Sequence, residues 1–327
     1  DGVMCHLYFD AVGGQGSDRV ACVSNDLGNI FETQGRLDDA PRMYKQALRA
    51  YRRVHGNEHH HVAMTLSNVG NILCRKGQLE VALGKYEEAH EILVQLHGED
   101  HEDVANVLAN MASLLKHQGK GAEALVMHER ALDAERRTVG PDCDGYVQAL
   151  LSLGHSYREQ GMLEDALARF EEGLGTVHRV HPGKLSLQGR FLNSIGSVYS
   201  EQGRLEDALV MFQDAHQIYQ EALGSESADV GRVKCNMATA LKEQGKAEDA
   251  ILLFEEGVAV QRRALVDEDV HLVQSLFNMG MCKLLLGDLE GTVECLKEAQ
   301  SICRGRVIWH GVAASVDAAL DMCEDGL

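Results

Sequence analysis

The stretch EQGRLEDAL, Glu201 to Leu209, has two near-copies in the same chain: EQGMLEDAL at Glu159 to Leu167 and EQGKAEDAI at Glu243 to Ile251. Its glycine, Gly203, belongs to a longer series of Gly35, Gly77, Gly119, Gly161, Gly203, Gly245 and Gly287. Every step is 42 residues, with no insertion. The 327 residues would suit about two ordinary domains, but a fixed period over seven copies predicts one quasi-linear array.

Other columns keep the period. Seven residues before the glycine stand Gly28, Gly70, Ala112, Gly154, Gly196, Ala238 and Gly280. Nine after it stand Tyr44, Tyr86, His128, Phe170, Phe212, Phe254 and Leu296, between Ala columns five and twelve after it. Apolar and small residues spaced by three and four, as in Leu66, Val69, Gly70 and Leu73, mark one face of a helix before each glycine. Ala208, Phe212 and Ala215 mark a second helix after it. The glycine falls where a helix C-terminus takes a left-handed residue. Glu206 and Asp207 then fall in the first turn of the next helix, where the dipole favours carboxylates. Each copy is therefore a helical hairpin, with small residues expected to face small residues across it. Gly173 and Gly257, in a column otherwise of Ala, point to a limit on size.

A small residue, then Gly, then Ala-x3-aromatic-x2-Ala resembles the tetratricopeptide repeat. The connectors HGNEHHHVA (His55 to Ala63) and HGEDHEDVA (His97 to Ala105) resemble those of 42-residue kinesin light chain-like arrays. The resemblance covers nearly the whole chain and implies an all-α fold, a right-handed superhelical α-solenoid. Residues 1–12 align with the tail of a second helix, Cys5 in the Ala47 column and Phe9 in the Tyr51 column. Residues 20–309 hold seven hairpins, and 310–327 a terminal helix that caps the stack. A chain that opens inside a helix is expected to be a fragment of something larger.

Composition narrows the function. Hydrophobic residues are 45% and charged residues 25%, the balance of a folded soluble chain. Fifty acidic and 31 basic side chains give a formal net charge of −19, which repels nucleic acid and anionic membranes. No apolar run approaches a membrane span. Nine scattered cysteines without a C-x-x-C pair suit a reducing cytoplasm, the expected location. Three prolines fit long helices.

Catalytic and cofactor signatures are missing. No phosphate-binding loop, H-E-x-x-H or nucleophile elbow occurs. GGQG, Gly13 to Gly16, is expected to be a flexible connector. His55 and His59, like His97 and His101, are four apart, but both pairs fall in connector columns without a third ligand at matching spacing. Paired acids such as Glu171 and Glu172 are expected on a solvated face. The expectation is a non-enzyme with no metal and no cofactor.

A stack of hairpins has a concave surface lined by its first helices. By resemblance, its ligand-facing positions lie thirteen, ten, six, three and two residues before the column glycine. The candidate partner-binding residues are Asn29, Ser67, Asn71, Arg75, Ser113, Lys116, His117, His155, Arg158, Asn193 and Ser197. Arg75, Lys116, His117 and Arg158 are basic in an acidic protein, beside amides and hydroxyls suited to an extended peptide. Asn68, Asn110, Asn236 and Asn278 recur nearly unchanged, so a scaffold role is expected, bonding an adjacent helix backbone. Phe277, Met281, Leu284 and Leu285 make the last groove positions apolar, and burial under the terminal helix is expected. The leading expectation is a protein–protein interaction module that binds a peptide segment, with acidic sequences favoured. The alternatives are a ligand-sensing repeat region of a multidomain signalling NTPase receptor and a scaffold that self-associates end to end.

Overall fold

The computed structural model describes residues 15–264, 270–303 and 310–324. Among them are fifteen α-helices and no strand. In chain order they are α1 (Gln15–Thr33), α2 (Ala40–His55), α3 (His60–Arg75), α4 (Leu79–His97), α5 (Glu102–His117), α6 (Gly121–Thr138), α7 (Asp144–Glu159), α8 (Leu163–Val180), α9 (Leu185–Glu201), α10 (Leu205–Leu223), α11 (Ala228–Glu243), α12 (Ala247–Ala264), α13 (Val270–Leu285), α14 (Leu289–Cys303) and α15 (His310–Glu324). The half-hairpin expected at residues 1–12 lies outside the described residues. Of the GGQG stretch, Gln15 and Gly16 are already helical, where an irregular connector was expected.

The period of the letters is the period of the helix ends. First helices stop at Thr33, Arg75, His117, Glu159, Glu201, Glu243 and Leu285, two residues before each column glycine. Second helices from α4 to α14 start two residues after it. Only α2 starts late, at Ala40, with Pro41 in its first turn. All seven column glycines have positive φ, 76° at Gly203. There Gly203 N–H donates to Ser200 O and Arg204 N–H to Tyr199 O, both at 2.9 Å. The turn satisfies carbonyls the helix end would leave open, and only glycine takes this backbone without strain.

Two compact units divide the chain between Ser156 and Tyr157. In the first, Tyr51, Leu66, Tyr86, Leu93, Val104 and Leu108 form one buried cluster. In the second, Phe212, Tyr219, Val230 and Val233 form one cluster, and Phe254, Leu276, Leu296, Val316 and Leu320 another. The second thus includes α15, which packs on α13 and α14 by Val316, Ala319, Leu320 and Cys323.

The small column faces rings more than other small residues. A Cβ on Gly28 would lie 2.5 Å from Tyr44 Cε1, and one on Gly70 2.6 Å from Tyr86 Cε1. On Gly196 it would lie 2.7 Å from Phe212. The aromatic of the second helix therefore passes over the glycine of the first. Small does meet small as well: a Cβ on Gly257 would be 2.7 Å from Gly231 O, and one on Gly196 3.2 Å from Ala208 O.

The turn also ties successive hairpins together. Gln202 Nε2 donates back to Glu164 Oε1 at 3.5 Å, Gln244 Nε2 to Glu206 Oε1 at 3.3 Å, and Lys76 Nζ to Asp38 Oδ1 at 2.7 Å. Glu164 and Glu206, in first turns, and Asp38, just before α2, thus receive the residue that precedes the next column glycine.

Candidate functional site

Each first helix in the first unit exposes one polar face. Asn29 on α1 is exposed, Asn71 on α3 half-buried and Arg75 exposed, while Ser67 is buried at 5% exposure. Asn71 and Arg75 are four apart on α3, hence neighbours on one helix face. The Tyr86 hydroxyl donates to Asn71 Oδ1 at 2.6 Å. That of Tyr44 lies 2.8 Å from both Asn29 Oδ1 and Glu32 Oε2. Arg75 Nη1 donates to the Glu32 carbonyl of the preceding hairpin at 3.1 Å, which holds one edge of its guanidinium. Ser113 on α5 is exposed and donates to Ala109 O at 3.1 Å in its own helix. Lys116 and His117 are exposed in the last turn of α5, and His155 on α7 is half-buried; all three have partners within the chain.

In the second unit, Arg158 lies 3.6 Å from Glu201, Nε to Oε1. Asn193 accepts from Asn236 Nδ2 at 2.8 Å, and Ser197 donates to Asn193 O at 2.9 Å. Burial pushes the Glu201 carboxyl above its usual range; Arg158 opposes the shift, and Glu159 and Glu243 add to it.

The recurring asparagines tie side chains to side chains, where a backbone partner was expected. Asn68 Nδ2 lies 3.3 Å from Asn29 Oδ1 and 3.5 Å from Asn25 Oδ1. Asn110 donates to Ser67 Oγ at 3.3 Å and Asn278 to Thr239 Oγ1 at 3.4 Å. Sequence columns could not show this, because donor and acceptor sit in successive copies, 39 or 43 residues apart. The residues expected to vary for a ligand are also the acceptors of the scaffold asparagines.

The histidine pairs have a local role. His59 is the N-cap of α3 and His101 that of α5, each accepting a backbone N–H at its Nδ1, from His61 at 3.3 Å and Asp103 at 3.2 Å. His55 stacks on His59 at 4.1 Å and His97 on His101 at 4.3 Å. Among the described residues no group of three His, Cys, Asp or Glu is placed to hold a metal ion.

Two concavities lie elsewhere. One of 210 Å³ in the first unit is lined by Glu99, Asp100, Arg130, Asp133 and Arg137, away from the groove columns. The other, of 160 Å³ in the second unit, is apolar and lined by Met281, Leu284, Leu289, Ala319, Met322 and Cys323. Phe277 and Met281 pack against the cluster that includes α15, while Leu284 stays 38% and Leu285 68% exposed. Phe277 and Met281 thus pack into the core, while Leu284, beside Met322 and Cys323 of α15, and Leu285 stay open, where full burial was expected. Among the described residues no helix is long and apolar enough to cross a membrane.

A family model described as tetratricopeptide repeat matches residues 19–93, 61–120, 103–176 and 188–263. Among solved structures, a tetratricopeptide repeat protein from Parabacteroides merdae ATCC 43184 superposes with a TM-score of 0.65 at 18% identity, over 94% of this chain and 99% of that one. BtubC (BKLC) from P. vanneervenii does so at 0.53 and 17%, over 70% and 89%. A Rap protein complexed with Competence and Sporulation Factor does so at 0.54 and 13%, over 99% and 97%. At these identities the likeness is one of fold. No curated protein matches the chain significantly.

Proposed function

The chain belongs to the tetratricopeptide repeat family, and from that premise we propose that it is a protein–protein interaction module whose first unit binds an extended, acidic peptide segment. A Rap protein of similar fold has been solved with Competence and Sporulation Factor, but the assignment here stands on this chain's own side chains. The observation that carries it is the Asn71–Arg75 pair. In a protein of formal net charge −19, α3 presents an amide and a guanidinium one turn apart, the guanidinium steadied by the Glu32 carbonyl. Lys116 adds a cation and His117 an imidazole at the end of α5. Amide and guanidinium donors suit peptide carbonyls and carboxylates, and a charge-assisted bond is the stronger kind.

The mechanism is docking on a prearranged face with little movement of the hairpins. Acidic peptides titrated against the protein are expected to outbind basic ones and to weaken with salt. Reversing Arg75 and Lys116 together, Arg75→Glu with Lys116→Glu, is expected to weaken acidic peptides at least about tenfold. Equal affinity for acidic and basic peptides, or indifference to the reversal, overturns the proposal. Arg158 is left out because it faces Glu201 in the other unit.

A further inference from the structure

The tyrosines of the aromatic column reach the groove face. We infer that Tyr44 and Tyr86 are positioning residues: their hydroxyls hold the amides of Asn29 and Asn71 by the oxygen, leaving the NH2 groups to the ligand, so that this face selects hydrogen-bond acceptors. The ligand part of the inference rests on the acidic-peptide reading above; the positioning part does not.

Four observations carry it. Tyr44 and Tyr86 stand on the second helices, α2 and α4, with rings 0% and 2% exposed. Each crosses the first helix over Gly28 or Gly70, which only a residue without Cβ allows at that distance. Each hydroxyl thus emerges against the asparagine one residue after that glycine. Second, the hydroxyls stay protonated: burial first, with Glu32 contributing at both, pushes the phenols up from their usual range. A protonated phenol gives its one hydrogen to the amide oxygen, which fixes the amide's orientation and turns its NH2 away from the hydroxyl. Among the described residues neither NH2 group makes a hydrogen bond.

Third, the pairing is selective within the chain. The two copies with Asn in this column are the two with Tyr nine residues after the column glycine. Where the column holds Ser197 or Thr239, the aromatic is Phe212 or Phe254. Those hydroxyls turn to their own helix, to Asn193 O at 2.9 Å and Cys235 O at 3.0 Å. Fourth, the two locks differ. Tyr86 faces Asn71 alone at 2.6 Å, whereas the single proton of Tyr44 is divided between Asn29 and Glu32. The lock at Asn71, beside Arg75, is the tighter. An unheld asparagine could rotate and offer its oxygen to a donor, and the lock removes that choice.

Tyr86→Phe tests this, since Phe212 and Phe254 show that the column accepts Phe. Asn71→Asp is its companion, because a carboxylate still accepts from Tyr86 but offers no NH2. The first readout needs no ligand: the side-chain NH2 signals of Asn71 by 15N NMR. They are expected to be ordered in the wild type and to gain motion in Tyr86→Phe, with the backbone spectrum elsewhere unchanged. The second is affinity for an acidic peptide, expected to fall about tenfold in both variants. An Asn71 amide equally ordered in Tyr86→Phe overturns the inference, whatever the peptide does. An amide that loosens while the wild type binds no acidic peptide upholds the positioning and overturns only the peptide reading. Unaltered peptide affinity in Asn71→Asp, in a protein that does bind, overturns the selection of acceptors.

Discussion

The unit ending at Ser156 and the unit starting at Tyr157 build one hairpin with different polar chemistry. In the first, the column nine after the glycine carries hydroxyls at Tyr44 and Tyr86, with His128; in the second it holds Phe170, Phe212, Phe254 and Leu296. In the first, helices α3 and α5 carry Arg75 and Lys116 in their last turns, where the helix dipole favours cations. In the second, α9 and α11 end in Glu201 and Glu243, where it disfavours carboxylates. The N-caps of α3 and α5 are His59 and His101, that of α11 is Ser227. The packing tolerates all of these choices because it uses the ring and the small residue beneath it. What may vary is whatever protrudes past the ring, and the two units spend that freedom in opposite directions of charge.

The largest effect tests what the units share. If the ring anchors the hairpin, Phe212→Ala, fully buried in the wild type, loses roughly 3–5 kcal/mol, measured by hydrogen exchange in α9 and α10. A loss below about 1 kcal/mol would remove the common basis of the comparison.

Acid should separate the units next. Burial first, and then Lys116, hold the His128 imidazole down to about 4. Burial also lowers His59 and His90 in the first unit and His216 in the second. A histidine with a depressed folded value stabilises the fold above the unfolded value near 6.5. That stability is lost as pH falls through the folded value, roughly 3 kcal/mol for His128. Glu135 in the first unit and Glu201 in the second are raised by burial, so they act in the opposite direction and gain stability on protonation. Between pH 6.5 and 4 the first unit should therefore lose exchange protection more than the second. His128→Phe should remove most of the difference, and equal loss in both units, before and after that change, would break the contrast.

The smallest effect concerns the residue under the ring. Gly70→Ala puts a Cβ 2.6 Å from Tyr86 and should cost about 1–3 kcal/mol. Gly280→Ala meets nothing nearer than Cys295 Cβ at 3.3 Å and should cost under about 1 kcal/mol. Chemical denaturation of the two variants checks the order, and a reversed order would mean that the ring does not set the limit on size.

Much of this was legible in the letters, and the boundary of legibility is physical. Spacing of three and four fixes which residues share a face of one helix, so the hairpins and the left-handed Gly203 follow from columns alone. Columns say less about what a face meets. Gly70 was expected against another small residue and carries Tyr86 instead. Asn68 and Asn110 read as scaffold, but their acceptors Asn29 and Ser67 lie on the helix of another copy. The bond from Gln202 to Glu164 was invisible for the same reason, although both belong to the motif that first revealed the period. For the candidate site, the letters pointed to Asn71 and Arg75 but not to the tyrosine that holds the one or the carbonyl that holds the other.

Among the described residues, most ties between copies span 35 to 43 residues, about one period, and join adjacent copies. This sets the grain at which such a gene can lengthen or shorten. Excising Arg204 to Gly245 would bring Asn278 opposite Ser197, one hydroxyl in place of another, and close to Asn193, the acceptor that Asn236 now uses. A loss of forty residues would leave those same donors facing the wrong side of a helix. Unequal crossing-over between near-copies such as EQGMLEDAL and EQGKAEDAI removes or adds whole periods. The bonding rule therefore favours that same step, one whole period at a time.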